Sequence, residues 1–315
     1  MEITIAHSPD ADDASMFYPI FQGKVDTLGI HFRETRQDIE TLNKMALESK
    51  YDVSAISFHA FPELQENYRF MTTGACFGEK YGPIVVASKP LKSKQLLKVR
   101  MAIPGKKTTA FLVLKLYENY LAGEGKSGIC YSELPFDHVM EAVENGKVDA
   151  GLIIHEGQLS FQDKGLFKIV DLGEWWYKEY KLPLPLGAIA IKRSIDEETQ
   201  NKIYQVIQSS IRYSIEHREE SVKTSIEWAR GLDAERTEKF ISMYVNELTV
   251  DCGRQGLKAI KTLYDKAYRL GAITKPVHFE DSYLHISSKQ PVSEPSPESE
   301  STSTPDHGAE TLDPQ

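Results

Sequence analysis

An apolar run at residues 150–154, Ala-Gly-Leu-Ile-Ile, ends in His155-Glu156. A histidine, with an ordinary pKa of about 6.5, suits removal of a proton next to a carbonyl. The same histidine hydrogen-bonded into a domain interface would be structural, and the run leaves both readings open. A second segment has anion-binding chemistry. After Arg100–Ile103 the chain reads Pro104-Gly105-Lys106-Lys107-Thr108-Thr109-Ala110 and then turns helical. A Gly turn before Thr-Thr at a helix start offers unpaired backbone N–H groups, hydroxyls and the positive dipole end, which suit a carboxylate. An N-cap role for Thr108 or Thr109 is compatible with this, because a cap hydroxyl can also face a cleft. Two further runs end in polar groups: residues 52–57 deliver Ser54, Ser57 and His59, and Glu2–His7 leads into Ser8-Pro9. Ligands of open α/β sheets bind beyond the carboxyl ends of the strands, so these ends together define the candidate site. His31, His138, His217, His278 and His285 read as surface or packing residues.

Other motifs carry less. The carboxylates Asp10, Asp12 and Asp13 either bind a hard cation such as magnesium or form a solvated loop that caps the next helix; they lack EF-hand spacing. GEGKS at 123–127 has Tyr120 where a phosphate-binding loop needs its first glycine, and follows a helix instead of a strand. His155-Glu156 opens like a zinc-protease helix, but Leu159 stands where the second histidine is required. Neither a GxSxG elbow nor a GxGxxG fingerprint occurs. Cys76, Cys130 and Cys252 have no metal-ligand spacing and read as small buried or half-buried thiols. Trp175-Trp176-Tyr177 either stacks on a flat ligand or packs a hinge. Tyr81-Gly82-Pro83 reads as a close backbone approach to a ligand or as a tight turn.

These groups are positioned by alternating β-rich and helical patterns, which predict an α/β fold. Strands are expected at 2–7, 29–33, 52–57, 81–90, 100–103, 129–133, 150–154 and 184–194. Helices are expected at 14–21, 38–47, 108–121, 137–146, 197–217, 219–231, 235–245 and 254–271, with Asp38 as an N-cap. The segments 81–90 and 184–194 share a Pro/Gly entry, an apolar strand and a basic exit, and enclose a self-contained α/β unit. That design predicts two lobes with a cleft between them: lobe one from 1–90 and 186–286, lobe two from 91–185. One continuous sheet is the alternative.

Composition excludes several classes. The 315 residues carry a formal charge of −9, and residues 287–315 hold six carboxylates and one lysine. That tail also has five of the fifteen prolines and reads as disordered. The rest is nearly balanced, with 36 basic and 40 acidic residues, so nucleic acid is not an expected partner. No apolar run is long enough to span a bilayer, and MEITIAHSPD does not read as a signal peptide, so a cytoplasmic location is expected. The oligomeric state is not legible.

In order, SPDADD (8–13), DIETLN (38–43), SAISFHAF (54–61), YGPIVV (81–86), IPGKKTTA (103–110), DAGLIIHE (149–156), LGEWW (172–176), LPLPLGA (182–188) and YVN (244–246) form a set. The set resembles the 1,4-dihydroxy-6-naphthoate synthase family of the futalosine route to menaquinone. The resemblance covers residues 1–286 and implies a periplasmic-binding-protein type II fold used as a cytoplasmic enzyme. It further implies a carbon–carbon lyase acting on cyclic dehypoxanthine futalosine, a small anionic substrate, with no metal or organic cofactor. By the same resemblance His155 is the catalytic base, acting as neutral imidazole. Substrate contacts fall on Ser54, Ala55, Ile56 and Ser57 and on Thr108, Thr109 and Ala110. The chain departs from the family in its first loop, which typically reads SPCPND, and at Ala55, where a lysine can occur. Rival readings are a transporter's solute-binding protein, which shares the fold, and a chorismate dehydratase of the same pathway.

Overall fold

The structure is a computed structural model that describes residues 1–123 and 129–286. The stretch GEGKS beyond Gly123 and the tail expected to be disordered lie outside the described residues.

Two sheets divide the strands. The larger has seven: β1 (Glu2–His7), β2 (His31–Arg36), β3 (Val53–Ser57), β4 (Tyr68–Met71), β5 (Cys76–Gly78), β11 (Leu184–Lys192) and β12 (Tyr283–Leu284). Its order is β12-β4-β11-β3-β1-β2, with β5 also on β11. The smaller has β6 (Ile84–Ala87), β7 (Arg100–Ile103), β8 (Cys130–Glu133), β9 (Ala150–Ile153) and β10 (Phe167–Asp171), ordered β10-β6-β9-β7-β8. The continuous-sheet alternative is therefore overturned. The chain passes from one sheet to the other between β5 and β6 and returns between β10 and β11, so the two similar segments belong to different sheets.

Each sheet has a parallel part and an antiparallel part. β1 runs parallel to β2 and β3, and β7 parallel to β8 and β9. β11 is antiparallel to β3, and β6 to β9. Among the parallel strands the inner β3 and β9 are buried at every position and read as apolar runs, whereas the edge strands β2 and β8 are partly exposed.

Helices cover the sheets by amphipathic spacing. In Gly253–Leu270 the buried Gly256, Ala259, Ile260, Leu263, Tyr264 and Ala267 form one stripe, and Gly271 closes the helix at φ 73°. Helix Ile39–Leu47 starts at Asp38, whose carboxylate accepts from Thr41 N as expected. The strand expected at 29–33 instead spans His31–Arg36. The alternating pattern HFRETR exposes one face and was obscured by its charge. The helix expected at 219–231 gives way after Ser225 to a single tighter turn, Ile226–Trp228.

Trp175 and Trp176 lie on helix Leu172–Tyr180, buried in the core, and Trp176 donates to Pro183 O at 3.1 Å. Their packing reading is the one that stands. That helix begins against the outgoing crossover. A Cβ on Gly173 would fall 1.9 Å from Tyr81 O, and Leu172 N donates to Pro83 O at 2.9 Å. Among the described residues no helix is long and apolar enough to cross a membrane.

Candidate active site

The carboxyl ends of β1, β3, β7 and β9 open on one cleft, which holds about 770 Å³ of empty space including its mouth. His155, Asp10, Ser57, Thr109, Ala110 and Tyr244 are on its wall.

His155 stands one residue beyond Ile154 at the end of β9, with φ 54°. A left-handed backbone costs a non-glycine residue about 1–2 kcal/mol, which the surroundings must offset. They do so with charge. His155 Nδ1 lies 2.8 Å from Asp10 Oδ2, and Asp10 is 1% exposed. Asp10 Oδ1 accepts from Arg230 at 3.0 Å, and Arg230 Nε lies 3.3 Å from Glu156 Oε2. Glu156 Oε1 accepts the N–H of Ala11 at 3.1 Å. The Phe136 ring meets His155 edge-on at 4.9 Å between centroids, and Arg230 lies over the same ring at 4.4 Å. His155 Nε2 is buried and has no hydrogen-bond partner among the described residues.

Burial opposes the imidazolium, but the charge and hydrogen bond of Asp10, with Glu156 and Asp12 behind it, raise the His155 pKa to about 9. Burial would raise the Asp10 carboxyl, yet His155 and Arg230 hold it well below the usual range. The pair with Asp10 thus favours the protonated ring, and the neutral form that a base requires is reached against that pairing. Crowding acts on the other acids. Burial, then neighbouring charge, pushes Asp13 up to about 7 and Glu156 up to about 8, and holds Asp12 well above its ordinary value.

The acidic loop is therefore neither solvated nor a cation cage. Its carboxylates diverge, Asp10 toward His155 and Arg230 and Asp13 toward Ser8 N at 2.7 Å. Among the described residues no group of three His, Cys, Asp or Glu side chains is arranged to hold a metal ion.

The anion end is built at the start of helix Thr109–Ala122. Thr108 is the N-cap: its hydroxyl accepts from Phe111 N at 3.2 Å and donates to Gly105 O at 2.8 Å. Thr109 Oγ1 accepts from His59 N at 3.3 Å, which leaves its own proton to donate. The first-turn N–H groups of Thr109 and Ala110 have no intrahelical acceptor. Gly105 is required because Glu40 fills the space where a Cβ would sit, 2.4 Å from its Oε2, and accepts Lys107 N at 3.0 Å.

Of the β3 group, Ala55, Ile56 and Ser57 line the cleft. Ser54 is not on the cleft wall; it is fully buried and donates to Ala55 O at 3.0 Å. Asn43 grips Ser57 twice, accepting its N–H at 2.8 Å and donating to its Oγ at 3.0 Å, so the Ser57 hydroxyl proton is free to donate. His59 contacts Thr108 O at 3.1 Å through Nδ1 and supports the helix start. His7 is fully buried, with both ring nitrogens engaged by Ser8 O and Glu34 at 2.9 Å. Arg230 and Gln158, which accepts from Tyr244 at 2.8 Å, had no signal in the sequence beyond their residue type.

Two sheets joined by paired crossovers, with strand ends meeting at one cleft, define the periplasmic-binding-protein class of fold. The alkanesulfonate-binding protein of Xanthomonas axonopodis pv. citri shares it at TM-score 0.68 and 14% identity, covering 90% of this chain and 98% of that one. The ligand-binding component of an ABC-type import system from Staphylococcus aureus matches at TM-score 0.68 and 12% identity, over 90% and 96%. At such identity these show the fold alone. A crystal structure of a protein from Archaeoglobus fulgidus is 42% identical, TM-score 0.80, covering 86% of this chain and 98% of that one. The 1,4-dihydroxy-6-naphthoate synthase of Thermus thermophilus is 32% identical over 269 residues, 85% of this chain and 95% of the relative. The synthase of Streptomyces coelicolor is 31% identical over 274 residues, 86% and 94%. A family model described as menaquinone biosynthesis matches residues 3–269. The chain belongs to this menaquinone-biosynthesis family of enzymes.

Proposed function

We propose that the chain is a cytoplasmic carbon–carbon lyase that converts cyclic dehypoxanthine futalosine into 1,4-dihydroxy-6-naphthoate and a small sugar-derived fragment, with His155 as general base. The observation that carries this reading is that His155, whose Nε2 has no hydrogen-bond partner among the described residues, lines the same cleft as the helix start at Thr109 and Ala110. The substrate carboxylate accepts from the first-turn N–H groups there and from the Thr109 hydroxyl, which fixes the ring system relative to His155. Neutral His155 takes the proton adjacent to the ketone through Nε2. The electron pair left behind forms an enolate, whose oxygen accepts from the Ser57 hydroxyl. Ring breakdown then expels the sugar-derived fragment and gains aromaticity. Closure of two lobes, one built on each sheet and joined by the crossings between β5 and β6 and between β10 and β11, keeps water from the enolate.

The test is incubation of purified protein with cyclic dehypoxanthine futalosine, following naphthoate formation, with His155→Ala as control. Absence of product, or tight binding without turnover as in a solute carrier, refutes the lyase reading. Undiminished product from His155→Ala refutes the assignment of the base.

A further inference from the structure

Asp10 and His155 are separated by 145 residues and follow strands of different sheets, yet their side chains meet at 2.8 Å. We propose that Asp10 is the positioning residue of His155, an inference that rests on the reading of His155 as base. Its carboxylate orients the imidazole through Nδ1–H, leaves Nε2 to face the substrate, and stabilises the imidazolium formed when the ring takes up a proton. The proton moves from substrate carbon to Nε2, and the Nδ1 proton stays on the ring. Asp10 exchanges nothing.

Three features separate this contact from an incidental ion pair. Asp10 is itself held: Oδ1 is fixed by Arg230 at 3.0 Å, and the next residue, Ala11, donates its N–H to Glu156. The imidazole is confined by the Phe136 ring and by the left-handed backbone at His155. Among the described residues, the ring nitrogen that Asp10 does not touch has no hydrogen-bond partner.

The groups that face His155 are Asp10 from the β1 loop, Asp12 and Asp13 from helix Ala11–Phe21, Glu156 beside it and Arg230 from the loop after Trp228. Tyr244 and Cys76 share the cleft. Of these, Asp10 alone makes a direct hydrogen bond to the ring among the described residues.

The experiment is a nitrogen-15 NMR titration of the histidines in the full chain, with kinetics on cyclic dehypoxanthine futalosine. The set is wild type, Asp10→Asn and, as a second variant should that one fold poorly, Asp10→Cys. In wild type the His155 midpoint is expected at about 9. In either variant it should fall by at least about one unit, and kcat should drop on the order of 100-fold with KM within about threefold. The acid limb of kcat/KM should move to lower pH with it. An unmoved His155 midpoint, or unchanged kcat in a folded variant, overturns the role of Asp10. The titration needs no substrate, so an unmoved midpoint and an absence of naphthoate from wild type are separate results. The first removes Asp10 and the second removes the lyase reading.

Discussion

Arg230→Met removes one charge from the network and keeps most of the side chain's apolar stem. In the native protein Arg230 balances Asp10 at 3.0 Å and approaches Glu156 at 3.3 Å, two carboxyl groups that are each 1% exposed. Removing one partner of a fully buried ion pair costs roughly 3–5 kcal/mol. The Arg230 side chain is 32% exposed, so water screens part of that, and about 1–2 kcal/mol is expected. For a domain of this size that is a melting-temperature fall of about 2–8 °C. The assay is a double-mutant cycle by urea and thermal unfolding, with Arg230→Met measured in wild type and in Asp10→Asn. The loss should shrink by half or more where the carboxylate is absent. A second sign check comes from His155. Removal of a neighbouring cation raises its titration midpoint, whereas Asp10→Asn lowers it. Equal losses in both backgrounds, or a downward shift of His155 in Arg230→Met, would refute the electrostatic account of this network.

Stability should fall as pH rises from 6 to 9. His155, Glu156 and Asp13 have folded pKa values raised to about 9, 8 and 7 from ordinary values of 6.5, 4.5 and 3.8, so the folded state holds extra protons that are lost across this window. Asp10 is ionised throughout the window and does not contribute to the slope; a flat or rising melting temperature would contradict the assignment. Thr108→Ala removes the cap bonds to Phe111 N and Gly105 O and should cost about 1 kcal/mol by urea unfolding, with a larger effect on KM than on kcat. Gly173→Ala should destabilise more than Thr108→Ala in the same assay, because the added Cβ meets backbone at 1.9 Å from Tyr81 O and 2.6 Å from Gly82 N, where no side chain can swing aside.

The strand ends were legible because apolar runs that stop at a polar residue have few other readings in an α/β chain. His155, Ser57, Thr109 and Ala110 all reach the cleft from such ends. Ser54 shows the limit of that rule: in a strand buried on both faces, composition does not say which residue faces the ligand. Three neighbouring acids read as a wet loop because a buried carboxylate needs a partner, and the partners of Asp10 lie 145 and 220 residues away. Arg230 was unreadable for the same reason. A buried charge is specified by its tertiary neighbours, not by local pattern. Strands such as β4 and β5 were also hidden, since they are short, and β10 because it is an edge strand with no fully buried residue.

The contact between Gly173 and Tyr81, with the Leu172–Pro83 hydrogen bond beside it, fastens the outgoing and returning connections side by side. Two independent straps would let the sheets shear and twist past each other; two straps joined along their length leave mainly a swing about one axis. A swing that opens the cleft would part Asp10 from His155, Arg230 from Glu156 and Tyr244 from Gln158 in the same stroke. The open molecule would then carry His155 without the Asp10 carboxylate beside it, with Glu156 alone of the paired acids still adjacent. Admission of the ligand and preparation of the base would thus be one mechanical event, timed by a pair of glycine-lined straps about which no chemistry takes place.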